Sequence, residues 1–272
     1  MASNKTVVLV TGGNSGIGFE TVLALSSASP NLHILLGSRS LEKGQKALEE
    51  MQALSRSRPD EVALQSPISV LQLDVADRAS IAAAKQEIAA RFGKLDALVN
   101  NAGVMVHHTK DLEEVLRLSF EVNTFGPLFL TEALEPLLRE AAATAGAGGA
   151  RVIYVTSSQG SISEKHARNE SDLQYRGFLV AEPYRMSKAA VNMLAACHRA
   201  NFGGWGCKVL ALNPGDCVSN LTGAEGLKAR EKRGSQSPKL PAGAIRDLVL
   251  GKRDGDFEKN GIVEVDGGVL PW

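Results

Sequence analysis

Short apolar runs of strand length recur along the chain at residues 7–10, 32–38, 68–73, 95–99, 152–155, 208–212 and 262–265, each ending in small or polar residues. Between them, mixed apolar and polar stretches predict helices from the first glycine turn to about residue 28, then over 41–57, 80–92, 184–202 and 242–250. The pattern over 112–138 predicts two consecutive helices divided near Asn123, Thr124, Phe125, Gly126 and Pro127. Strands alternating with helices in this way predict an α/β domain. Three stretches escape the pattern. Residues 141–150 are low in complexity and read as a helix end plus a loop, and residues 159–183 are polar and irregular. Residues 216–241, rich in Gly, Ser and Lys, suit a mobile lid over a pocket.

Candidate chemistry collects where the apolar runs end. The first run enters Thr11-Gly12-Gly13-Asn14-Ser15-Gly16-Ile17-Gly18 before a helix begins, so the glycines permit a tight turn and the free amides of the helix start offer a seat for a diphosphate. A bare glycine-rich turn is the alternative. The second run ends in Gly37-Ser38-Arg39. A carboxylate there would hold an adenosine ribose 2′-hydroxyl, whereas a guanidinium suits a 2′-phosphate by charge and by its fork of donors. This favours NADP(H) over NAD(H), against the alternative of a solvated arginine. Asp74-Val75 ends the third run, where the acid either meets an adenine or caps the next helix. Asn100-Asn101-Ala102-Gly103 ends the fourth, Thr156-Ser157-Ser158 the fifth and Asn213-Pro214-Gly215 the sixth. No G-x-S-x-G elbow surrounds Ser158, which argues against a hydrolase. Tyr184 and Lys188 lie four residues apart in a helical run and so share a face, where a cation beside a phenol favours its ionised form.

Composition narrows the partners. With 272 residues and 44% hydrophobic content the chain can bury a sizeable core, and no second domain begins after residue 150. Thirty basic and thirty acidic residues cancel, which leaves no global field to attract nucleic acid or an anionic membrane. Three cysteines without C-x-x-C spacing argue against a disulfide framework or a zinc site, and no metal is expected. The first apolar run is too short for a signal or a span, so a soluble cytoplasmic protein acting on small molecules is expected.

Taken in order, these motifs resemble those of the short-chain dehydrogenase/reductase family over nearly the whole chain. The T-G-x-x-x-G-x-G motif is met by Thr11, Gly12, Gly16 and Gly18, N-N-A-G by Asn100 to Gly103, and Y-x-x-x-K by Tyr184 and Lys188. The N-P-G turn falls on Asn213, Pro214 and Gly215, and a terminal V-D-G-G on Val265 to Gly268. The resemblance implies a single-domain Rossmann fold with seven parallel strands in the order 3-2-1-4-5-6-7 and helices on both faces. It assigns catalysis to Asn123, Ser158, Tyr184 and Lys188. Tyr184 would protonate the developing alkoxide, and Lys188 would hold the nicotinamide ribose and lower the Tyr184 pKa. Ser158 would orient the substrate oxygen, and Asn123 would anchor a relay water. The same resemblance places Gly12, Asn14, Ser15, Gly16, Ile17, Gly18, Arg39, Asp74, Val75, Asn101, Ala102, Gly103, Tyr184, Lys188, Pro214, Gly215 and Val218 on the cofactor.

Two departures stand out. The interval from Ser158 to Tyr184 is longer than in the family's shorter members, so residues 159–183 resemble the insertion of carbonyl-reductase-like members, some of them monomeric; a monomer, dimer and tetramer all stay open. Ser15 stands where many NADP-preferring members carry a basic residue. The implied activity is NADPH-dependent, reversible reduction of a ketone or aldehyde on a small apolar molecule. An NAD-linked alcohol dehydrogenase and a non-catalytic dinucleotide-sensing protein are the alternatives.

Overall fold

The computed structural model describes residues 5–145, 149–167 and 181–272. Strands β1 (Thr6–Thr11), β2 (Leu32–Ser38), β3 (Ile68–Gln72), β4 (Ala97–Asn100), β5 (Arg151–Val155), β6 (Lys208–Asn213) and β7 (Ile262–Glu264) pair in parallel, and β8 (Val269–Leu270) adds antiparallel to β7. The order is 3-2-1-4-5-6-7-8. The expected seven-stranded order is therefore extended by one short strand, because the turn after β7 folds residues 269–270 back onto its free edge.

Continuous apolar runs, rather than alternating ones, mark strands covered on both faces. Along β1, Val7 and Leu9 enter one core while Val8 and Val10 enter the other. Helices α3 (Arg78–Phe92), α5 (Gly126–Ala145) and α7 (Ala181–Gly203) close the first face through Ile88, Leu130, Leu134 and Val191. Helices α1 (Gly16–Ala28), α2 (Leu41–Ser57) and α9 (Lys239–Val249) close the second through Val22, Leu25, Met51, Ile245 and Leu248. Strand order reverses between β1 and β4, which opens a crevice beyond their carboxyl ends. Among the described residues no helix is long and apolar enough to cross a membrane.

Two expectations change. Helix α4 (Leu112–Phe120) does not break before α5; a π-helical turn over Glu121–Phe125 carries the chain through, because one extra residue is absorbed there instead of ending the helix. The segment 216–241 is not featureless: it holds α8 (Gly223–Lys232) and is tied down by polar contacts that sequence periodicity does not register. Of the expected insertion 159–183, the first part forms the end of a 3₁₀ turn (Ser158–Gly160) and α6 (Ile162–Ala167), and residues 168–180 lie outside the described residues, as do residues 146–148 of the low-complexity stretch.

Candidate active site

The crevice at the carboxyl edge is a cleft of about 370 Å³, within the usual range for small-molecule sites of about 300–1,000 Å³. Its floor is the turn from β1 into α1. Gly12 and Gly16 adopt φ of +64° and +56°, which side chains rarely tolerate. Thr11 fastens the turn to β4, since its hydroxyl accepts from the amides of Asn101 and Ala102 at 3.0 and 2.9 Å. Gly18 does not line the cleft; a Cβ there would stand 2.2 Å from the Gly12 carbonyl oxygen, so this glycine lets α1 pack onto the turn.

The start of α1 fits a diphosphate. Its N-cap Ser15 makes no side-chain cap and its first turn carries no acid, so the leading amides have no internal partner. At the outer end of the cleft stand the exposed Arg39 and Lys43, neither of whose side chains has a hydrogen bond or ion pair among the described residues. Sequence reasoning missed Lys43, although its place four residues after Arg39 on the first turn of α2 was a signal. Asp74 lines the same cleft and accepts from the Ala76 amide, while the cap of α3 is Asp77. Of the two readings left open for Asp74, the helix cap is therefore taken by its neighbour.

Tyr184 and Lys188 face the inner end from α7 and are 8% and 5% exposed. Lys188 Nζ donates to the Val155 carbonyl at 2.9 Å and lies 5.9 Å from the centre of the Tyr184 ring. Burial pushes the phenol up to about 12, against the pull of the Ser157 hydroxyl and the Arg230 charge, and pushes Lys188 down to about 8. The lowering of Tyr184 that its neighbour Lys188 was expected to bring is not seen: the phenol is raised by desolvation, and the opposing pulls come from Ser157 and Arg230.

The serine beside Tyr184 is Ser157, within hydrogen-bonding reach of the phenol. Ser158 instead opens the 3₁₀ turn, and its amide donates to Asn213 Oδ1 at 3.1 Å. The serine next to Tyr184 is thus one residue before the one to which the resemblance assigns catalysis. Ser157 keeps extended backbone as the cap of the 3₁₀ turn while Ser158 is already inside that turn, so adjacent serines enter different surroundings. The turn is pressed onto α7 at Gly160, which lines up Ser157 with Tyr184.

Asn123 sits buried in the π-helical turn, outside the cleft wall. Its Oδ1 accepts from the Val104 amide at 2.8 Å, and its Nδ2 donates to the Val104 carbonyl at 2.9 Å and to Ser187 Oγ at 3.0 Å. Thr124 adds a bond to the Ser187 carbonyl at 3.1 Å, so the turn grips α7 at the residue just before Lys188. A Cβ on Gly103 would lie 3.3 Å from Asn123 Oδ1 and 3.6 Å from Lys188 Nζ, which locates the meeting point of the three elements.

Of the residues that the resemblance places on the cofactor, Asn14, Ile17, Val75, Asn101, Ala102, Gly103 and Pro214 line the cleft, together with Gly12, Ser15 and Gly16. Gly215 and Val218 do not. Gly215 turns back at φ +73° toward Gln236, and the Val218 amide donates to the Gln236 carbonyl at 2.9 Å. Ser219, Asn220 and Leu221 take their place on the wall, a shift set by the irregular path after β6.

The short chain dehydrogenase family matches residues 6–229. A short-chain dehydrogenase/reductase of Phoma sp, eupG, is 32% identical over 270 residues, covering 93% of each chain. The short-chain dehydrogenase anuI of Penicillium roqueforti is 31% identical over 236 residues, covering 85% of this chain and 86% of that protein. Among solved structures, NADPH-bound carbonyl reductase from chicken fatty liver superposes with a TM-score of 0.75 at 28% identity, covering 100% of this chain and 96% of that one. The carbonyl reductase Sniffer of D. melanogaster, at 22% identity and a TM-score of 0.72, shares the fold. With the strand order, the glycine turn and the Tyr184–Lys188 face agreeing with a match that runs from β1 into α8, the chain belongs to the short-chain dehydrogenase/reductase family of oxidoreductases.

Proposed function

We propose that this chain is an NADPH-dependent carbonyl reductase, a single catalytic domain that reduces a ketone or aldehyde on a small molecule and runs reversibly as an alcohol dehydrogenase. The observation that carries this is one cleft with Arg39 and Lys43, unpaired among the described residues, at its outer end and Tyr184 and Lys188 at its inner end, with Ser157 beside the phenol. NADP(H) supplies or takes the hydride when bound. The glycine turn and the first amides of α1 would hold its diphosphate, Arg39 and Lys43 its 2′-phosphate, and Asp74 and Val75 would border its adenine. Tyr184 donates its proton to the developing alkoxide, and a phenol at about 12 keeps that proton available at neutral pH. Ser157 donates a hydrogen bond to the same oxygen and fixes its angle. Lys188 holds positive charge below the phenol, and Asn123 positions Lys188 by clamping Ser187. The segment after β6 covers the substrate side. An NADPH-oxidation screen across aldehydes, aryl ketones and quinones, with NADH as comparison, tests the reading; no turnover with any carbonyl compound would overturn it.

The serine pair gives a sharp test. Ser157→Ala should lower kcat about 100-fold, the scale for losing one positioned donor to a developing oxyanion, while Ser158→Ala should stay within about threefold, since the contact at Ser158 is made by its backbone amide. Steady-state kinetics with one substrate decides between them, and the reverse ranking would restore Ser158.

Cofactor choice gives another. Arg39→Ala should weaken NADPH binding about 10- to 100-fold, as expected for a lost charge-assisted hydrogen bond, and leave NADH nearly unchanged. Lys43→Ala should do the same more weakly. Equal losses for both cofactors in a fluorescence titration would refute the 2′-phosphate role.

A further inference from the structure

Ser157 stands at the head of the 3₁₀ turn, and the two ends of that turn are held by different means. At the start, the Ser158 amide donates to Asn213 Oδ1 at 3.1 Å, and Gln159 Oε1 accepts from Arg185 Nε of α7 at 2.8 Å. At the exit the chain runs into α6, a six-residue helix that buries none of its side chains and leaves Ile162 72% exposed. Packing of α6 cannot hold that end. Ser161 supplies the hold instead. It is 1% exposed, and its Oγ donates to the Pro271 carbonyl at 2.6 Å while accepting from the Glu164 amide at 3.1 Å. Two residues on, the Ser163 amide donates to the Trp272 carbonyl at 3.1 Å.

Residues 271 and 272 are themselves fixed from the sheet. Strand β8 pairs with β7, Leu270 opposite Ile262 and Val269 opposite Val263, and Gly261 allows the approach, since a Cβ there would meet the Leu270 carbonyl. Leu270 and Trp272 pack against the first core, and Trp272 Nε1 donates to Asn260 Oδ1 at 3.0 Å. The stretch after β8 is therefore a strap from the edge of the sheet to the exit of the turn. Within the turn, the Gly160 amide donates to the Ser157 carbonyl at 3.0 Å and the Ser161 amide to the Ser158 carbonyl at 3.1 Å, so head and exit move together. Gly160 rests on the backbone of Lys188 and Ala189. That contact limits how near the turn comes to α7, and keeping it there falls to the hydrogen bonds at its two ends.

We propose that Ser161 is a positioning residue: by tying the exit of the turn to the Pro271 carbonyl it holds Ser157 against Tyr184, so the strap after β8 sets the hydrogen bond that orients the substrate oxygen. Removing the hydroxyl leaves the Pro271 carbonyl and the Glu164 amide without their partner at a buried position, a state that the turn relieves by moving. The kinetic consequence rests on the carbonyl-reductase reading, although the strap itself does not.

The test measures kcat and KM for one aldehyde and for NADPH in wild type, Ser161→Ala, Ser157→Ala and the double variant, and reads hydrogen exchange across residues 158–163 by mass spectrometry. Ser161→Ala should lower kcat about 10-fold, part of the roughly 100-fold that a displacement of about 1 Å costs, with both KM values within about twofold. In the Ser157→Ala background the same change should cost less than about twofold, because no serine is left to position. Trp272→Ala loosens the strap without altering a residue of the turn, so it should lower kcat in the same non-additive way, and it carries the cycle if Ser161→Ala does not fold. Exchange should quicken about 10-fold in either variant, the scale of one lost hydrogen bond. The proposal is overturned if kcat holds at the wild-type level, if the loss is equal in both Ser157 backgrounds, which would mark general destabilisation, or if exchange is unchanged. Quickened exchange in a protein that reduces no carbonyl compound would support the strap and sink the reductase reading.

Discussion

Replacing Tyr184 by phenylalanine is expected to lower turnover by at least about 100-fold, the smallest usual effect of removing a general acid, while NADPH binding stays within about twofold. The ring sits 8% exposed on α7, packed where phenylalanine fits the same volume, so the variant loses the hydroxyl and little else. Turnover at the wild-type level would sink the proton-donor assignment. The pH dependence follows from the partner. Burial holds Lys188 down to about 8, so its positive charge below the phenol fades as pH rises through that value, and reduction should slow above pH 8 well before the phenol itself ionises near 12. Stability moves the other way. A lysine in the unfolded chain titrates at about 10.4, so between about pH 8 and 10.4 the unfolded state binds more protons and this group's contribution to stability rises with pH. A melting series beside the rate profile separates the two, since a rate loss caused by unfolding would track the melt.

Gly160→Ala is expected to cost about 1–3 kcal/mol in stability, the range for overpacking, and about 100-fold in turnover, the scale for displacing a catalytic group by about 1 Å. An added Cβ would stand 2.6 Å from the Lys188 carbonyl carbon and 2.8 Å from both the Lys188 oxygen and the Ala189 nitrogen. All three are backbone atoms of α7 and cannot swing aside, so the turn must retreat and carry Ser157 away from Tyr184. Gly204→Ala is the control, because no atom lies within 4 Å of its added Cβ. Chemical denaturation and kcat on both variants check this, and wild-type activity in Gly160→Ala would show that the turn does not set the serine.

How far this was legible from the sequence depends on the element. Arg39, Asp74 and Asn101 follow strand ends directly, so reading the strands placed them on the cleft. The π-helical turn around Asn123 was not legible, since one surplus residue in a helix changes no residue type and Gly126-Pro127 imitates a break. Nor was β8, two residues long and defined only by its partner.

The sequence by itself determined the α/β class, the glycine turn and the Tyr184–Lys188 face, because each depends on contacts within a few residues or on a continuous apolar run. Tertiary structure decided the rest. Ser157 rather than Ser158 meets Tyr184 because the 3₁₀ turn docks on α7 through Gly160. Desolvation raises the phenol because tertiary packing buries Tyr184, which its place in the Y-x-x-x-K pattern does not encode. These are burial and long-range packing terms, which no local pattern of residues encodes.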